Sequence, residues 1–369
     1  MSADIGILGG GQLARMTALS ARRAGISCIV LDPDPSCPAS KVADVVIGRL
    51  DDAEAIRRVA DQCGALTLEN EFVPATSIRE SKATIVPGNE TLAIVQDKLR
   101  QRHVLTQAGV PSPRAVTASQ AGEIGFPCVL KRRFGGYDGK GTRYARTEAE
   151  YEALRPEWER EEWLAEEQVP FVREIAVMAF MGRDGTGGAF PAVVTQQKNS
   201  VCDLVFPLDD PVTEAEARRV ARAAVAAIEG VGLFGVELFE TADSMILVNE
   251  IAPRPHNSGH YSQDWGGLSQ FEAHWRLVLG LRLPESPRGR PTAMANLLGI
   301  ESAGGHLQGL RAMLEDGYRG AKLHWYDKAE ARSGRKMGHV NCTGISGTQA
   351  RKRAIAAQSA FLRGWCTDS

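Results

Sequence analysis

Two glutamates near the middle of the chain have the spacing of a metal-binding pair. Glu237 and Glu250 lie in apolar, alternating stretches that flank a polar segment, which predicts a β-hairpin. If residues 241–244 form the loop, Glu237 is predicted to face Val248 and Glu250 to face Gly235. Both carboxylates then lie on one face of the hairpin as diagonal neighbours, roughly 7 Å apart or less.

Two acids placed in this way repel each other and are costly to desolvate unless a cation lies between them. Oxygen ligands at this spacing suit Mg²⁺ that carries a nucleotide phosphate. The alternative is a solvated face on which the acids hold nothing. Asn249 falls on the opposite face by parity, so a ligand role for Asn249 requires a bend where the strand ends.

A lysine followed by a glycine-rich segment indicates phosphate binding. Lys131 stands near the end of the apolar strand 126–132, and residues 134–142 contain four glycines. Such a loop lets backbone N–H groups approach phosphate oxygens and cover a nucleotide. The alternative is a mobile turn that holds no ligand.

Composition limits the class of protein. The chain has 369 residues, enough for two or three domains, with 43 basic and 45 acidic residues and a net charge of −2. Nothing in this balance indicates nucleic-acid binding. The seven cysteines are scattered without C-x-x-C spacing, which favours a reducing compartment over a disulfide scaffold or zinc ribbon. No leader segment or membrane-spanning run is recognisable, so we expect a cytoplasmic protein.

The first part of the chain predicts a doubly wound α/β domain. A strand at residues 4–8, a G-x-G-x-x-A turn at 9–14 and a strand ending at Asp32 form a βαβ unit. This pattern is consistent with a nicotinamide dinucleotide site, but helix N-termini of such domains also attract other anions. Glu69 and Glu71 follow a later strand at its carboxyl end, where they either face a substrate or are solvated loop residues.

Further elements must position these groups. A helix is predicted from Thr91 to Gly109, with Lys98 within it and apolar residues along one side. The segment 163–169 offers backbone and apolar contacts suited to a purine. The remaining predicted elements are a helical stretch at 147–162, a strand at 174–180, a helix at 213–230, a linker at 284–291, strands at 293–298 and 322–326, a basic turn at 332–339 and a final helix at 349–362.

Three long motifs, at residues 131–141, at 249–260 and at 324–328 with 334–339, occur in an order that resembles the ATP-grasp superfamily. Within it, the chain is similar to the 5-(carboxyamino)imidazole ribonucleotide synthases over nearly its whole length. The resemblance implies a mixed α/β and α+β structure. It would comprise an N-terminal doubly wound, pre-ATP-grasp domain (1–90), an ATP-grasp domain (91–288) and a small β-rich C-terminal domain (289–369).

The resemblance also implies an ATP site between the two halves of the central domain, with Mg²⁺ on Glu237 and Glu250. Gln197 stands where relatives frequently have a histidine, so its nucleotide role is the least supported. The implied ATP-binding residues are Lys98, Lys131, Gly136, Tyr137, Asp138, Gly139, Lys140, Gly141, Thr142, Glu166, Glu167, Gln168, Val169, Glu174, Gln197, Asn249 and Glu250.

A ribonucleotide site is implied where the first turn meets the basic C-terminal residues. Its residues would be Gln12, Leu13, Glu69, Asn257, Lys328, Arg335 and Lys336. The implied catalytic residues are Arg254, His256, Tyr137, Asp138 and Lys336.

Arg254 suits bicarbonate because a guanidinium fork matches a planar oxyanion. His256 is the first candidate to accept the amine proton, since imidazole ordinarily titrates near neutral pH. Pro253 and Pro255 argue against a helical zinc site formed by His256 and His260.

The activity implied is ATP- and bicarbonate-dependent carboxylation of 5-aminoimidazole ribonucleotide through carboxyphosphate. The resemblance implies a homodimer without biotin, nicotinamide, nucleic-acid or membrane partners. Three alternatives stay open at this point: another ATP-grasp ligase such as formate-dependent glycinamide ribonucleotide transformylase, a nicotinamide dehydrogenase, and a non-catalytic nucleotide-binding module.

Overall fold

The computed structural model describes residues 3–78, 83–136, 139, 141–300, 305–318 and 320–366. These residues form three β-sheets. The predicted site residues Tyr137, Asp138 and Lys140 lie outside the described residues.

The first sheet is parallel and has the strand order β3-β2-β1-β4-β5. Its three central strands are buried because helices cover both faces, which confirms the doubly wound domain. Its elements are β1 (Ala3–Leu8), α1 (Gln12–Arg23), β2 (Cys28–Asp32), β3 (Asp44–Ile47), α2 (Ala53–Ala60), β4 (Cys63–Leu68), α3 (Ala75–Ile78) and β5 (Thr84–Val86).

The single helix predicted from Thr91 to Gly109 is wrong, because the structure contains two helices, α4 (Asn89–Gln96) and α5 (Lys98–Gln107). Asp97 has extended backbone angles and its carboxylate accepts hydrogen bonds from the N–H groups of Leu99 and Arg100. This N-cap starts a second helix. Lys98 therefore lies in the first turn of α5.

The second sheet is small and has four strands in the order β6-β9-β7-β8. The continuous helical stretch predicted at 147–162 is instead two short helices, and Pro156 lies in the first turn of the second. The elements are β6 (Ala115–Thr117), β7 (Cys128–Arg132), β8 (Thr142–Ala145), α6 (Glu148–Ala153), α7 (Arg155–Trp158) and β9 (Trp163–Glu167).

The largest sheet runs through the middle and the C-terminal part of the chain in the order β15-β14-β10-β12-β13-β16-β18-β17, with β11 beside β10. Its first elements are β10 (Phe171–Met181), β11 (Gly187–Ala189), β12 (Val193–Lys198), β13 (Val201–Pro207), α8 (Pro211–Ala227), β14 (Gly232–Thr241), β15 (Ile246–Ala252) and α9 (Gln270–Val278). They are followed by β16 (Thr292–Leu298), α10 (His306–Glu315), β17 (Lys322–Trp325), β18 (Lys336–Thr343) and α11 (Gly347–Trp365).

The C-terminal strands continue the central sheet, since β16 pairs with β13. The predicted basic turn at 332–339 is only partly a turn, because β18 already begins at Lys336. The domain boundaries at 90 and 288 stay predictions.

One small apolar cluster joins the three parts of the chain. Leu13 and Met16 of α1 pack with Phe271 of α9 and with Tyr326, which follows β17. This contact places the N-terminus of α1 beside the basic C-terminal residues. No helix among the described residues is both long and apolar enough to cross a membrane.

Candidate active site

Glu237 and Glu250 project from directly paired positions of β14 and β15. The predicted diagonal arrangement is therefore wrong in register, although the two side chains do share one face of the sheet. The register shifts between Glu237 and Leu238, so that Asn249 is an extra, unpaired residue on β15. A β-bulge of this kind lets consecutive residues depart from strict alternation.

The bulge places the Asn249 side chain next to Lys131. Its Oδ1 accepts a hydrogen bond from Lys131 Nζ at 3.1 Å, and its main-chain oxygen accepts one from Arg102 Nη2 at 2.5 Å. The irregularity at Asn249 is thus a bulge within β15 and not the expected bend at the strand end.

Lys98 reaches the same face from α5. Its Nζ lies 2.5 Å from Glu250 Oε1. Burial alone favours the neutral forms of both groups, but their mutual attraction outweighs it. The pKa of Glu250 is therefore lowered and that of Lys98 is raised. Both side chains are charged at neutral pH.

Glu166 forms a buried ion-pair network with two cations. Lys131 Nζ is 2.6 Å from Glu166 Oε2, and Arg102 Nε is 2.8 Å from Glu166 Oε1. Burial favours the neutral acid, but Arg102 and Lys131 together lower the pKa of Glu166 to about 2. The side chain of Glu166 therefore faces the cations. Of the other residues predicted to hold adenine, Glu167 and Gln168 are exposed and Val169 is half-buried.

Glu174 and Gln197, predicted to contact the nucleotide, are hydrogen-bonded to each other through their side chains. Burial raises the pKa of Glu174, and the bond from Gln197 lowers it only in part. A register shift between Gln196 and Gln197 interrupts the pairing of β12 with β13 at this point.

The glycine-rich segment approaches the turn between β12 and β13. Gly139 has a φ of +72°, and a Cβ at this position would lie 2.7 Å from Ser200 Cβ. The segment also lines a cleft of about 320 Å³. The residues that surround this cleft are Lys98, Glu250, Glu71, Phe72, Pro74, Val95, Gln96, Phe134, Gly135, Gly136 and Ile251.

The amide groups at the first turn bind internal carboxylates. Glu69 accepts hydrogen bonds from Gly11 N at 2.6 Å and Leu13 N at 3.1 Å, and a Cβ at Gly11 would lie 2.2 Å from Glu69 Oε1. Asp32 Oδ2 accepts from Gly10 N at 2.8 Å. The G-x-G pattern therefore lets the chain's own acids approach the backbone, rather than leaving the first N–H groups to an external phosphate. Burial raises the pKa of Glu69 despite these bonds.

The basic C-terminal residues lie around the start of β18. Lys328 Nζ donates to the main-chain oxygen of Lys336 at 2.8 Å, while Arg335 is exposed and donates to Glu330 O at 2.9 Å. Lys41 and Arg15 both pair with Asp327, which ties this segment to the first domain.

Asn257 is committed to a partner within the protein. Its Nδ2 donates to Asn296 Oδ1 at 3.0 Å, and its Oδ1 accepts from Asn296 Nδ2 at 2.7 Å. Both amides are buried. The carbonyl oxygen of the Asn257 side chain is therefore engaged before any substrate arrives.

Arg254 is held by Glu71 through both arms of its fork. The Nε–Oε2 distance is 2.5 Å and the Nη2–Oε1 distance is 2.9 Å, while Nη1 donates to Pro255 O at 3.2 Å. Burial opposes ionisation of Glu71, but Arg254 outweighs it and lowers the pKa. The planar edge predicted to hold bicarbonate is occupied by this carboxylate.

His256 is neutral in this environment. Burial, with Arg254 and Lys336 nearby, lowers its pKa to about 3, so the expected titration near neutral pH is wrong. Its Nδ1 accepts from Ser258 N at 3.4 Å and lies 2.9 Å from Ser258 Oγ, which places the ring proton on Nε2. That nitrogen is 3.6 Å from Glu237 Oε1.

Comparison with known families identifies three matching domains along the chain. Domain models match in the order ribonucleotide synthetase preATP-grasp domain (1–96), ATP-grasp domain (104–271) and phosphoribosylaminoimidazole carboxylase C-terminal domain (292–353). N5-carboxyaminoimidazole ribonucleotide synthase of Synechococcus elongatus is 40% identical, over 96% of this chain and 93% of the relative. The chain belongs to the N5-carboxyaminoimidazole ribonucleotide synthase family.

Two solved structures of synthases from Aspergillus clavatus superpose closely on the chain. The one complexed with ATP has a TM-score of 0.89 at 33% identity, covering 98% of this chain and 99% of the other. The one in complex with ADP and 5-aminoimidazole ribonucleotide has a TM-score of 0.88 at 32% identity, with the same coverage. These likenesses confirm the ATP-grasp fold with its flanking pre-ATP-grasp and C-terminal domains.

Three residues of the candidate site are not predicted as such by the sequence. Arg102 and Gln270 are not among the predicted site residues, and Glu71 is predicted only as one of two acids after a strand. Arg102 lies four residues after Lys98, and this helical spacing is the one signal that places both on the same side of α5. No sequence pattern predicts the pairing of Glu71 with Arg254, or of Gln270 with His256.

Proposed function

We propose that this chain carboxylates the exocyclic amine of 5-aminoimidazole ribonucleotide. ATP and bicarbonate give carboxyphosphate and ADP; the amine then takes up the carboxyl group, releasing phosphate and a proton and forming N5-carboxyaminoimidazole ribonucleotide. One observation carries this proposal. This chain belongs to the synthase family, and its Glu237 and Glu250 are directly paired on one face of the sheet. Lys98 contacts Glu250 there, and Lys131 contacts the neighbouring Asn249.

The first step needs bicarbonate to be activated, because it is a poor electrophile. Transfer of a phosphoryl group depends mainly on positioning and charge neutralisation. Lys98 and Lys131 are proposed to meet the ATP phosphates, and residues 136–142, including Tyr137, Asp138 and Lys140, to close over them. For this to happen, Lys131 must exchange part of its contact with Glu166 for phosphate oxygens.

Glu237 and Glu250 suit Mg²⁺, which is commonly bound through one or two carboxylates while phosphates and water complete its shell. Two directly opposed acids on a half-buried face fit this requirement. When bound, the ion would neutralise charge on the phosphate oxygens. Burial favours the neutral form of Glu250, but Lys98 outweighs it, lowers the pKa and keeps this carboxylate ionised.

The second step brings the amine to the activated carboxyl group. The ribonucleotide is proposed to bind between the start of α1 and the basic residues Lys328, Arg335 and Lys336, which the packing of Tyr326 on Leu13 brings together. His256, kept neutral by its lowered pKa, is proposed to relay the amine proton; since its unprotonated Nδ1 faces Ser258, the relay requires the tautomer in which Nε2 is the acceptor. Arg254 is proposed to contact bicarbonate once Glu71 releases part of the Arg254 guanidinium group.

The proposal is tested by measuring ADP formation. We expect it to require 5-aminoimidazole ribonucleotide and bicarbonate, with formate and glycinamide ribonucleotide inactive. Stimulation by formate and glycinamide ribonucleotide would instead identify a transformylase. Hydride transfer with NADH in place of ADP formation would identify a dehydrogenase, and nucleotide binding without ADP formation a binding module. The family further suggests a homodimer working in the cytoplasm, which sedimentation and cell fractionation would test.

A further inference from the structure

The buried side chain of Gln270 holds the main chain of His256 at two points. Its Oε1 accepts from His256 N at 2.9 Å, and its Nε2 donates to His256 O at 2.9 Å. The same Nε2 lies 2.7 Å from Nδ1 of His260. Because a main-chain N–H can only donate, the amide oxygen must face it, which fixes the orientation of the Gln270 carboxamide. Both of its donor hydrogens are then used, so His260 Nδ1 is an acceptor.

The surroundings leave this amide no room to turn. Gln270 is fully buried at the start of α9, and its own N–H donates to Ser262 Oγ at 2.8 Å. A Cβ at Gly259 would lie 2.4 Å from Gln270 Oε1, so only glycine fits there without displacing the amide.

His256 also packs closely against the β14–β15 hairpin. A Cβ at Gly235, on β14, would lie 2.4 Å from His256 Cβ. Gly235 lies two residues before Glu237, whose carboxylate is 3.6 Å from His256 Nε2. The imidazole is therefore located by three contacts: Gly235 behind it, Ser258 at Nδ1 and Gln270 on its main chain.

We propose that Gln270 is a positioning residue for the carboxylation step, acting through His256. This inference rests on the proposed function, since it assigns Gln270 to the ribonucleotide-dependent half of that reaction. Lys98 and Lys131, which are proposed to meet ATP, contact Glu250, Asn249 and Glu166 and not this amide. Loss of the amide is thus expected to impair use of the ribonucleotide while nucleotide binding continues.

The decisive variant is Gln270→Glu, which keeps the size of the side chain and the acceptor for His256 N. Its second oxygen faces His256 O and His260 Nδ1 without the two hydrogens that the amide supplied. The clamp that the amide Oε1 and Nε2 form on the main chain of His256 therefore loses the hydrogen bond from Nε2. The measured quantity is the rate of ADP formation with the ribonucleotide divided by the rate without it. We expect this ratio to fall about tenfold or more, the effect of roughly 1.4 kcal/mol, with ADP affinity within about twofold of wild type.

Tyr151→Phe is the matched control, because it also removes one buried hydrogen bond from a side chain to a main-chain oxygen, that of Ala118. It is expected to lower thermal stability without changing the ratio. Gln270→Asn, which shortens the clamp by one methylene, should show a partial fall and so rule out a mere charge effect.

Two results would overturn the inference. In the first, both rates stay at their wild-type values in Gln270→Glu. In the second, both rates fall together, so that their ratio does not change. The second outcome would show a role in stability alone. If wild-type protein itself shows no stimulation by the ribonucleotide, the proposed function fails, and that result is distinct from either of these.

Discussion

Arg254 and Glu71 form a two-point ion pair that closes the guanidinium edge best suited to a planar anion, with distances of 2.5 and 2.9 Å. A carboxylate and bicarbonate present similar pairs of oxygens to such a fork. The protein therefore places its own carboxylate where we propose that the substrate binds. Arg254 is kept oriented by this contact, and Glu71 must yield part of it during turnover.

Glu71→Gln is expected to destabilise the fold, because it leaves the Arg254 charge without its counter-charge. Breaking a fully buried pair costs roughly 3–5 kcal/mol, but these side chains are 16% and 18% exposed, so we expect about 1–3 kcal/mol. Denaturant unfolding gives the free energy of unfolding. Glu330→Gln, which breaks the exposed pair with Arg332, should leave the free energy of unfolding nearly unchanged. Equal losses in the two variants would contradict this assignment.

Glu250→Gln is expected to abolish ATP turnover in the presence of Mg²⁺ while leaving the protein folded. The substitution removes one of the paired carboxylates and the counter-ion of Lys98. ADP formation at saturating ATP should fall by about 10²-fold or more, the scale of losing a preorganised charge. Glu152→Gln, at an exposed position of α6 where the acid pairs with Arg155, serves as the control. Near-normal turnover in Glu250→Gln would refute the metal assignment.

Arg102→Lys is expected to weaken ATP use selectively. Arg102 donates to Glu166 and to the main-chain oxygen of Asn249 at once, and a lysine amine cannot span both positions. We expect the KM for ATP to rise about tenfold, the value of one charged hydrogen bond, with the KM for the ribonucleotide unchanged. Arg100→Lys, on the same helix and paired with the exposed Glu90, should leave both constants unchanged. A parallel rise in both constants after Arg102→Lys would contradict the selective role.

His256→Ala is expected to reduce ribonucleotide-dependent turnover far more than nucleotide binding. The imidazole lies beside Glu237 and Ser258, and the cations proposed to hold ATP contact other groups. Turnover should fall about 10²-fold, typical of losing a proton-transfer group, while ADP affinity by calorimetry stays within about twofold. Equal losses in turnover and in affinity would count against the proposed proton relay.

The network around Glu166 should make the fold sensitive to acid. The folded-state pKa of about 2 lies below the ordinary value of 4.5, so the ionised network stabilises the protein fully above about pH 5. This contribution should be lost as pH falls from about 4.5 towards 2. Glu166→Gln should lower stability at neutral pH and flatten the decline in this window. Unfolding free energies measured between about pH 6 and 2.5 would test this, and an unchanged slope would argue against it.

In the β14–β15 hairpin, the sequence predicts the shared face of the two acids but not the pairing of the strands. Alternation of apolar residues correctly placed Glu237 and Glu250 on one face, because parity is a local property of extended chains. It could not give the register or the bulge at Asn249, since these depend on how β14 and β15 pair and on the hydrogen bond from Arg102. The break at Asp97 was missed for a related reason: apolar spacing continues across it, and only the capping geometry ends the helix.

By itself the sequence determined the kinds of groups available: a lysine near a strand end, a glycine-rich segment, two acids of equal parity and a basic C-terminal segment. Only the tertiary structure decided which charges meet. Glu71 and Arg254 are 183 positions apart in the chain, and Gln270 and His256 are 14 apart. Glu166 is 35 positions from Lys131 and 64 from Arg102. Such pairs form when packing brings distant segments together, and the resulting burial and Coulomb interactions then set the pKa of each group.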